Sequence, residues 1–274
     1  MRAGEQSGTQ PSRGRAAQIF RVLLPLLVLG VVVGGWDLVV RINQIPLYIL
    51  PGPGLVLSTL IADWPVLFES LLSTLWTTLQ GFVAAAVGGI ALALLFNLSR
   101  WVEVALFPYA VVLQVTPVIA IAPLLLIYLP QDTAVVVCAW IVAFFPVLSN
   151  TTLGLNSVDR NLAGLFRLYG ASPLQTLLRL KLPAALPYML GGLRIAGGLS
   201  LIGAVVAEIA AGSAGAGSGL AYRIAESGYR LNIPRMFAAL LLLSLAGIVI
   251  YAALALVSHL LLRRWHESAL RQEP

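Results

Sequence analysis

Residues 170–183, Gly170-Ala-Ser-Pro-Leu-Gln-Thr-Leu-Leu-Arg-Leu-Lys-Leu-Pro183, decide how this chain is read. They form a basic, helix-prone stretch between two strongly apolar segments. Gly170 opens the stretch, and Leu180-Lys-Leu-Pro183 closes it after nine intervening residues. In a chain otherwise short of charge, such a stretch is a candidate docking surface on one side of a membrane. The rest of the sequence tests that reading.

The chain has 274 residues, of which 59% are hydrophobic and 10% charged, and its mean hydropathy is +0.92. Soluble domains carry about 25% charged residues. Too few charges are present to coat a globule of this size, so lipid must solvate much of the surface. The net charge of +6 reads as charge that fixes cytoplasmic loops rather than as a nucleic-acid footprint. No nucleic-acid partner is expected. A single cysteine, Cys138, excludes an internal disulfide and any multi-cysteine metal site. It sits in an apolar run, where it reads as a small buried hydrophobe. His259 and His266 are too isolated to form a metal cluster, so no metal site and no catalytic residue is expected.

A helix needs roughly 20 mostly apolar residues to cross the hydrocarbon core. Six segments qualify, at about 20–40, 70–96, 102–129, 133–155, 186–211 and 236–262. The fold class is therefore all-α, a polytopic membrane protein with six transmembrane helices. Residues 1–18 have the composition of a disordered cytoplasmic tail, and residues 19–47 carry the first transmembrane helix. Residues 48–266 hold the other five spans, an inner loop at 156–185 and an external loop at 212–235. Residues 267–274 form a C-terminal tail. The Leu50-Pro-Gly-Pro-Gly54 stretch opens an outer turn and a short amphipathic helix. Basic residues precede the first span, but Gly34-Gly35-Trp36-Asp37 offers no small-residue cleavage site, so the span is read as uncleaved. Asp37 and Arg41, four apart, are expected to pair. Trp36, Trp64, Trp101 and Trp265 fall near predicted span boundaries, as aromatic belts do.

Charge sets the direction. With both termini inside, the cytoplasmic side holds thirteen of the 17 basic residues, counting Arg194, which can snorkel inward. Only Arg41, Arg223, Arg230 and Arg235 remain outside. This asymmetry favours N-in, C-in, and it places the 156–185 loop in the cytoplasm.

That loop is too long for a hairpin and too apolar for a disordered linker. Asp159 can cap a helix that starts near Arg160. Leu162, Leu165, Phe166 and Tyr169 recur at three- and four-residue spacing, which gives one apolar face. Gly170 allows a left-handed C-cap. Ser172 caps a second helix with Pro173 at its first position. Pro183 and Pro187 are expected to mark a turn into the fifth span. The expected result is helix–glycine–helix parallel to the membrane, with an exposed apolar ridge around 165–174. Such a ridge fits a protein partner, and equally an amphipathic pair lying on lipid.

At these residues the chain resembles the inner-membrane permease subunits of binding-protein-dependent ABC importers. Those subunits carry Glu-Ala-Ala, three residues, Gly, nine residues and Ile-x-Leu-Pro. Here Gly170 and Leu180-Lys181-Leu182-Pro183 match the second half. Gly164-Leu165-Phe166 stands where Glu-Ala-Ala would be, which removes the family's usual acidic contact. The flanks Leu50-Pro-Gly-Pro53, Leu182-Pro-Ala-Ala-Leu-Pro-Tyr188, Gly192-Leu-Arg-Ile195, Val206-Ala-Glu208 and Gly217-Ser-Gly-Leu220 resemble the nitrate/sulfonate/taurine type. The resemblance covers about residues 48–266.

It implies a type I ABC importer permease fold in the bacterial inner membrane. It also implies a second permease copy, forming a homodimer, two cytoplasmic ATP-binding subunits and an external or periplasmic solute-binding protein. The ATPase-coupling residues would be Leu165, Phe166, Tyr169, Gly170, Ala171, Ser172, Pro173 and Leu174. ATP and Mg would bind the partner ATPase, not this chain. The cargo would be a small anion such as nitrate, a sulfonate or taurine, or alternatively a pyrimidine-type vitamin precursor. A P-loop needs Gly-Lys followed by Ser or Thr, and the only lysine, Lys181, is flanked by leucines. The glycine-rich run 212–219 therefore reads as an external flexible turn.

Polar groups at bilayer depth are expensive and point to function. Gln114 and Thr116 fall near the middle of the third span. Pro117 and Pro123 should kink or unwind it, freeing carbonyls that must face protein or water. These residues are expected to line the translocation pathway, although a structural kink with a helix–helix hydrogen bond fits the same pattern. Glu208, near the outer end of the fifth span, is expected to be a gate or binding-protein contact, or else a solvated helix end. Asn150 reads as a helix-packing residue. Gly191, Gly192, Gly197, Gly198 and Gly203 give the fifth span faces for close packing. Two other classes are weaker. Ion-coupled carriers bury acidic residues at mid-span, and none is central here. A membrane enzyme would need a nucleophile–base pair or a cofactor fingerprint, and the sequence has neither.

Overall fold

The chain is described by a computed structural model over residues 13–212 and 218–263, with side chains from Leu23 onward. Among the described residues every regular element is a helix. Residues 1–12 of the expected 1–18 tail, residues 213–217 of the external turn and residues 264–274, which include Trp265, His266 and the expected C-terminal tail, lie outside them. Residues 13–18, expected in the disordered tail, are instead the first turns of a helix.

Twelve segments follow in order. The first span is α1 (Arg13–Ile42). A short outer helix, α2 (Pro53–Ala62), leads into the long second span, α3 (Trp64–Leu98). The third span is broken into α4 (Arg100–Val115) and α5 (Val118–Tyr128). The fourth is α6 (Gln131–Asn156). The inner loop holds α7 (Arg160–Leu168) and α8 (Pro173–Thr176). A π turn at Leu177–Lys181 joins α8 to the fifth span, α9 (Leu182–Ala211). A short helix, α10 (Leu220–Tyr229), follows, and α11 (Ile233–Leu262) is the sixth span. Five helical stretches are long and apolar enough to cross a membrane, and the bent pair α4–α5 makes a sixth.

Helices α3, α6 and α9 form the core. In lipid, helices gain no hydrophobic advantage from touching one another, so close approach through small residues holds them together. A Cβ on Gly203 would sit 2.7 Å from the Cys138 carbonyl oxygen and 2.8 Å from Ala139 Cα. A Cβ on Gly192 would sit 2.8 Å from Asn150 Cβ. The fifth-span glycines thus serve different faces: Gly192 and Gly203 meet α6, Gly197 meets Leu254 of α11, and Gly191 and Gly198 face open space. Around these contacts Val147, Leu148 and Leu155 are fully buried, as is Cys138. Asn150 donates to the Pro146 carbonyl at 2.8 Å and packs against Gly192, the packing role its position suggested.

The outer helices lie at the edge of this core. Trp36 of α1 packs on Phe237 of α11, with ring centroids 5.8 Å apart. From Leu23 onward most of the other apolar side chains of α1 are exposed, as a lipid-facing helix requires. Arg41 and Asp37 pair at 2.7 Å, as their spacing predicts. Helix α2 is apolar on more than one side, with Val56 buried and Leu57 and Ile61 exposed, so it is less amphipathic than expected.

The external arginines that departed from the charge asymmetry are all paired with carboxylates. Arg223 and Arg230 both pair with Glu226, at 3.0 and 2.9 Å. Arg235 donates to Asp63 at 2.6 Å. That last pair ties the start of α11 to the junction of α2 and α3. The Arg235 hydrogen bond, helped by its charge and opposed by burial, holds the Asp63 carboxyl below its ordinary value of 3.8. A depressed carboxylate stabilises the fold above its unfolded-state value and loses that contribution as pH falls through its folded value. Asp63→Asn should therefore lower thermal stability at neutral pH and flatten its dependence on acid below about pH 4. Melting curves of both proteins between neutral and acid pH check this.

The inner loop differs from expectation at one point. Pro183 and Pro187 do not turn the chain. Residues 173–211 run as one helical stretch. A proline lacks the N–H that an α-helical bond needs. The π turn just before Pro183 absorbs the mismatch, with the Leu182 N–H reaching back five residues to the Leu177 carbonyl. The second loop helix is therefore the cytoplasmic end of the fifth span rather than a separate segment lying parallel to the membrane.

Candidate functional site

Two regions gather the candidate residues: the inner surface around Gly170 and the break between α4 and α5.

At the inner surface, Asp159 accepts the Asn161 N–H at 2.6 Å and so caps α7. The helix ends in a Schellman motif. Gly170 has φ +70°, its N–H donates to the Arg167 carbonyl, and the Ala171 N–H donates to the Phe166 carbonyl, both at 3.0 Å. Ser172 then caps α8 in a reciprocal capping box with Gln175, at 3.2 and 2.9 Å. Pro173 occupies the first turn of α8. No residue of α7 or α8 is buried. Leu165, Tyr169 and Leu174 are exposed, Tyr169 by 84%, while Phe166 and Ala171 are half-buried. The eight residues expected to couple to an ATPase thus lie along one capped helix–turn–helix segment, and none of them is fully buried. Gly164-Leu165-Phe166 lies at its amino-terminal edge.

The surface is wired to the spans by polar groups that sequence reasoning missed. Lys181 Nζ donates to Asn97 Oδ1 at 3.0 Å, and Asn97 Nδ2 donates to Asn156 Oδ1 at 3.4 Å. The inner ends of α3 and α6 therefore join the π turn below α8. The available signal was the single lysine: an isolated cation in an apolar run needs a partner.

The second region is the break in the third span. Pro117 drives its preceding residue, Thr116, to an extended conformation. The two halves of the span bend by 100°. Beside the break lies a cavity of about 550 Å³. Gln114 and Thr116 line it together with Val118 and Ile119 of α5, residues around Pro146 of α6, and Gly203 and Val206 of α9. Two of the predicted pathway residues are thus brought to one cavity, and Pro117 makes the break that opens it. The Thr116 hydroxyl donates to the Val112 carbonyl at 2.6 Å.

Glu208 does not line this cavity, and it is not the solvated helix end its position suggested. It is buried, with 5% of its surface exposed. Its Oε2 accepts the Thr74 hydroxyl at 3.0 Å and the Ala221 N–H at 3.1 Å. Thr74 Oγ1 also accepts the Leu220 N–H at 2.7 Å. Glu208 therefore caps α10 from a distance, where the helix dipole favours negative charge, and bolts α10 to α3 and α9. Arg223 adds a second link, donating to Ser70 at 3.1 Å. The polar spacing Ser70, Thr74 along α3 was the signal for this seam.

A family model described as the inner membrane component of binding-protein-dependent transport systems matches residues 85–266. The chain belongs to this family. The permease is 34% identical over 245 residues to the formylaminopyrimidine transport permease protein of Halalkalibacterium halodurans, covering 89% of this chain and 96% of the relative. It is 37% identical over 138 residues to the nitrate import permease protein of Synechocystis, covering 50% of each. Its fold is similar to that of an amino acid ABC transporter crystallised with histidines, with a TM-score of 0.60 and 19% identity, covering 75% of this chain and 97% of the other. The permease is thus a multi-pass inner-membrane transport subunit rather than an enzyme. The family implies ATPase and solute-binding partners.

Proposed function

We propose that two copies of this permease form the translocation pathway for a small solute. A solute-binding protein delivers the solute from outside, and two ATP-binding subunits grip α7 and α8 from the cytoplasm. ATP and its magnesium ion belong to those partners. Closure of the ATPases moves α7 and α8, and because α8 is continuous with α9, the movement reaches the cavity beside Gln114, Thr116 and Pro117 as a rigid-body shift. Glu208 carries it onward to α10. The observation that carries this reading is the capped α7–Gly170–α8 surface, on which no residue is fully buried. Two candidate cargoes follow from the resemblance and the relatives: a nitrate-, sulfonate- or taurine-like anion, and a pyrimidine-type vitamin precursor.

Gly170 tests the proposal. A Cβ there meets nothing within 4 Å, so a substitution strains the backbone without a clash. Forcing a side chain into the left-handed region costs roughly 1–2 kcal/mol. Gly170→Val should leave membrane insertion intact, while ATP-driven uptake into vesicles falls and less ATPase co-purifies. Unchanged uptake and unchanged co-purification would remove the docking assignment. Uptake that persists without ATP would favour a channel or carrier.

A further inference from the structure

We infer that the cavity at the α4–α5 break takes an uncharged organic solute bearing both hydrogen-bond donors and acceptors, not an inorganic anion. The inference rests on the reading of that cavity as part of the pathway.

Size argues first. A volume of about 550 Å³ falls in the range of roughly 300–1,000 Å³ typical of sites for small organic molecules. A triatomic or tetratomic oxyanion would leave most of it to water.

Charge argues second. No residue lining the cavity is charged. An anion moved from water into such walls without a cation loses several kcal/mol of solvation. The broken span does not replace that cation. The carboxyl end of α4 and the amino end of α5 meet at the same break, and their opposed dipole ends offset each other.

The hydrogen-bonding inventory argues third. Prolines strip carbonyls of their helical donors. Pro117 does this to Leu113, Pro123 to Ile119 and Pro146 to Val142, and all three of these residues line the cavity. On the donor side, the first N–H groups of α5, on Val118 and Ile119, lack intrahelical acceptors. The Gln114 amide adds one acceptor and two donors. The Thr116 proton is already committed to Val112. An oxyanion offers acceptors alone and would leave three carbonyls unpaired. A solute with amino or hydroxyl groups beside ring or carbonyl acceptors can meet both sets, and the leucine, isoleucine and valine walls suit its carbon skeleton.

Because the binding protein also selects cargo, the test uses the full-length permease alone, in lipid nanodiscs. Equilibrium dialysis measures retention of labelled formylaminopyrimidine and of labelled nitrate, for wild type and for Gln114→Leu. Expected is retention of the pyrimidine, undisturbed by excess nitrate and weakened about tenfold, or roughly 1.4 kcal/mol, by Gln114→Leu. Retention of nitrate, no retention of the pyrimidine, or equal retention by the Gln114 variant would overturn the inference. None of those results touches the ATP dependence of uptake, which tests the importer reading separately.

Discussion

Replacing Leu165 and Tyr169 together with glutamate is expected to lower ATP-driven uptake by at least about tenfold, while the permease still inserts and folds. A tenfold loss corresponds to roughly 1.4 kcal/mol. Neither side chain is buried in the permease itself, and exposed substitutions away from special features usually change stability by less than about 0.5 kcal/mol. Any larger effect must arise in the complex. A carboxylate forced into an apolar groove without a partner costs several kcal/mol, and here two would be forced in. Gly164-Leu165-Phe166 replaces the Glu-Ala-Ala of the family pattern, so this groove should be unusually intolerant of acid. Uptake per permease, compared with melting temperature, separates docking from folding. A matched fall in both would place Leu165 and Tyr169 in the fold rather than in the docking face.

The second large effect lies at the opposite side of the membrane. Gly219→Ala is expected to destabilise the permease severely, because a Cβ at that position falls inside the Glu208 carboxylate. Glu208 would have to give up Thr74 and Ala221. Leaving a buried polar group without its hydrogen-bond partners costs about 1–3 kcal/mol, and more for a charged one. Glu208→Ala alone should be costly too, since it removes the acceptor for the α10 amino end. The two changes together should cost less than their sum, because the smaller side chain vacates the space the new methyl needs. Glu208→Gln should be milder, because an amide oxygen can still accept both hydrogen bonds. Melting temperatures of the four proteins form the cycle, and strict additivity would show that Gly219 and Glu208 do not meet.

How much of this was legible beforehand depended on the kind of interaction. Caps and turns are local, so Asp159, Gly170, Ser172 and Pro173 could be placed from spacing alone, and the structure shows all four in those roles. The break at Thr116–Pro117 was legible for the same reason, because a proline constrains its own neighbourhood. The continuity of α8 with α9 was not. A proline reads as a stop unless a π turn removes the need for its N–H, and no residue pattern announces that turn. Glu208 was misjudged because depth along a span was counted but lateral neighbours were invisible. Thr74 is 134 residues away in sequence. The neutralisation of Arg235 by Asp63 is likewise a long-range pairing, whereas the Asp37–Arg41 pair on one helix was predictable.

The central claim is that the surface around Gly170 meets an ATP-binding subunit. A photoreactive phenylalanine analogue at position 169 tests it directly, in cells that express the complete importer. A light-dependent adduct between the permease and the ATP-binding subunit is expected, and none from the same probe at the exposed outer position 229. Adducts with lipid alone at position 169, or an adduct with the ATP-binding subunit from position 229, would contradict it.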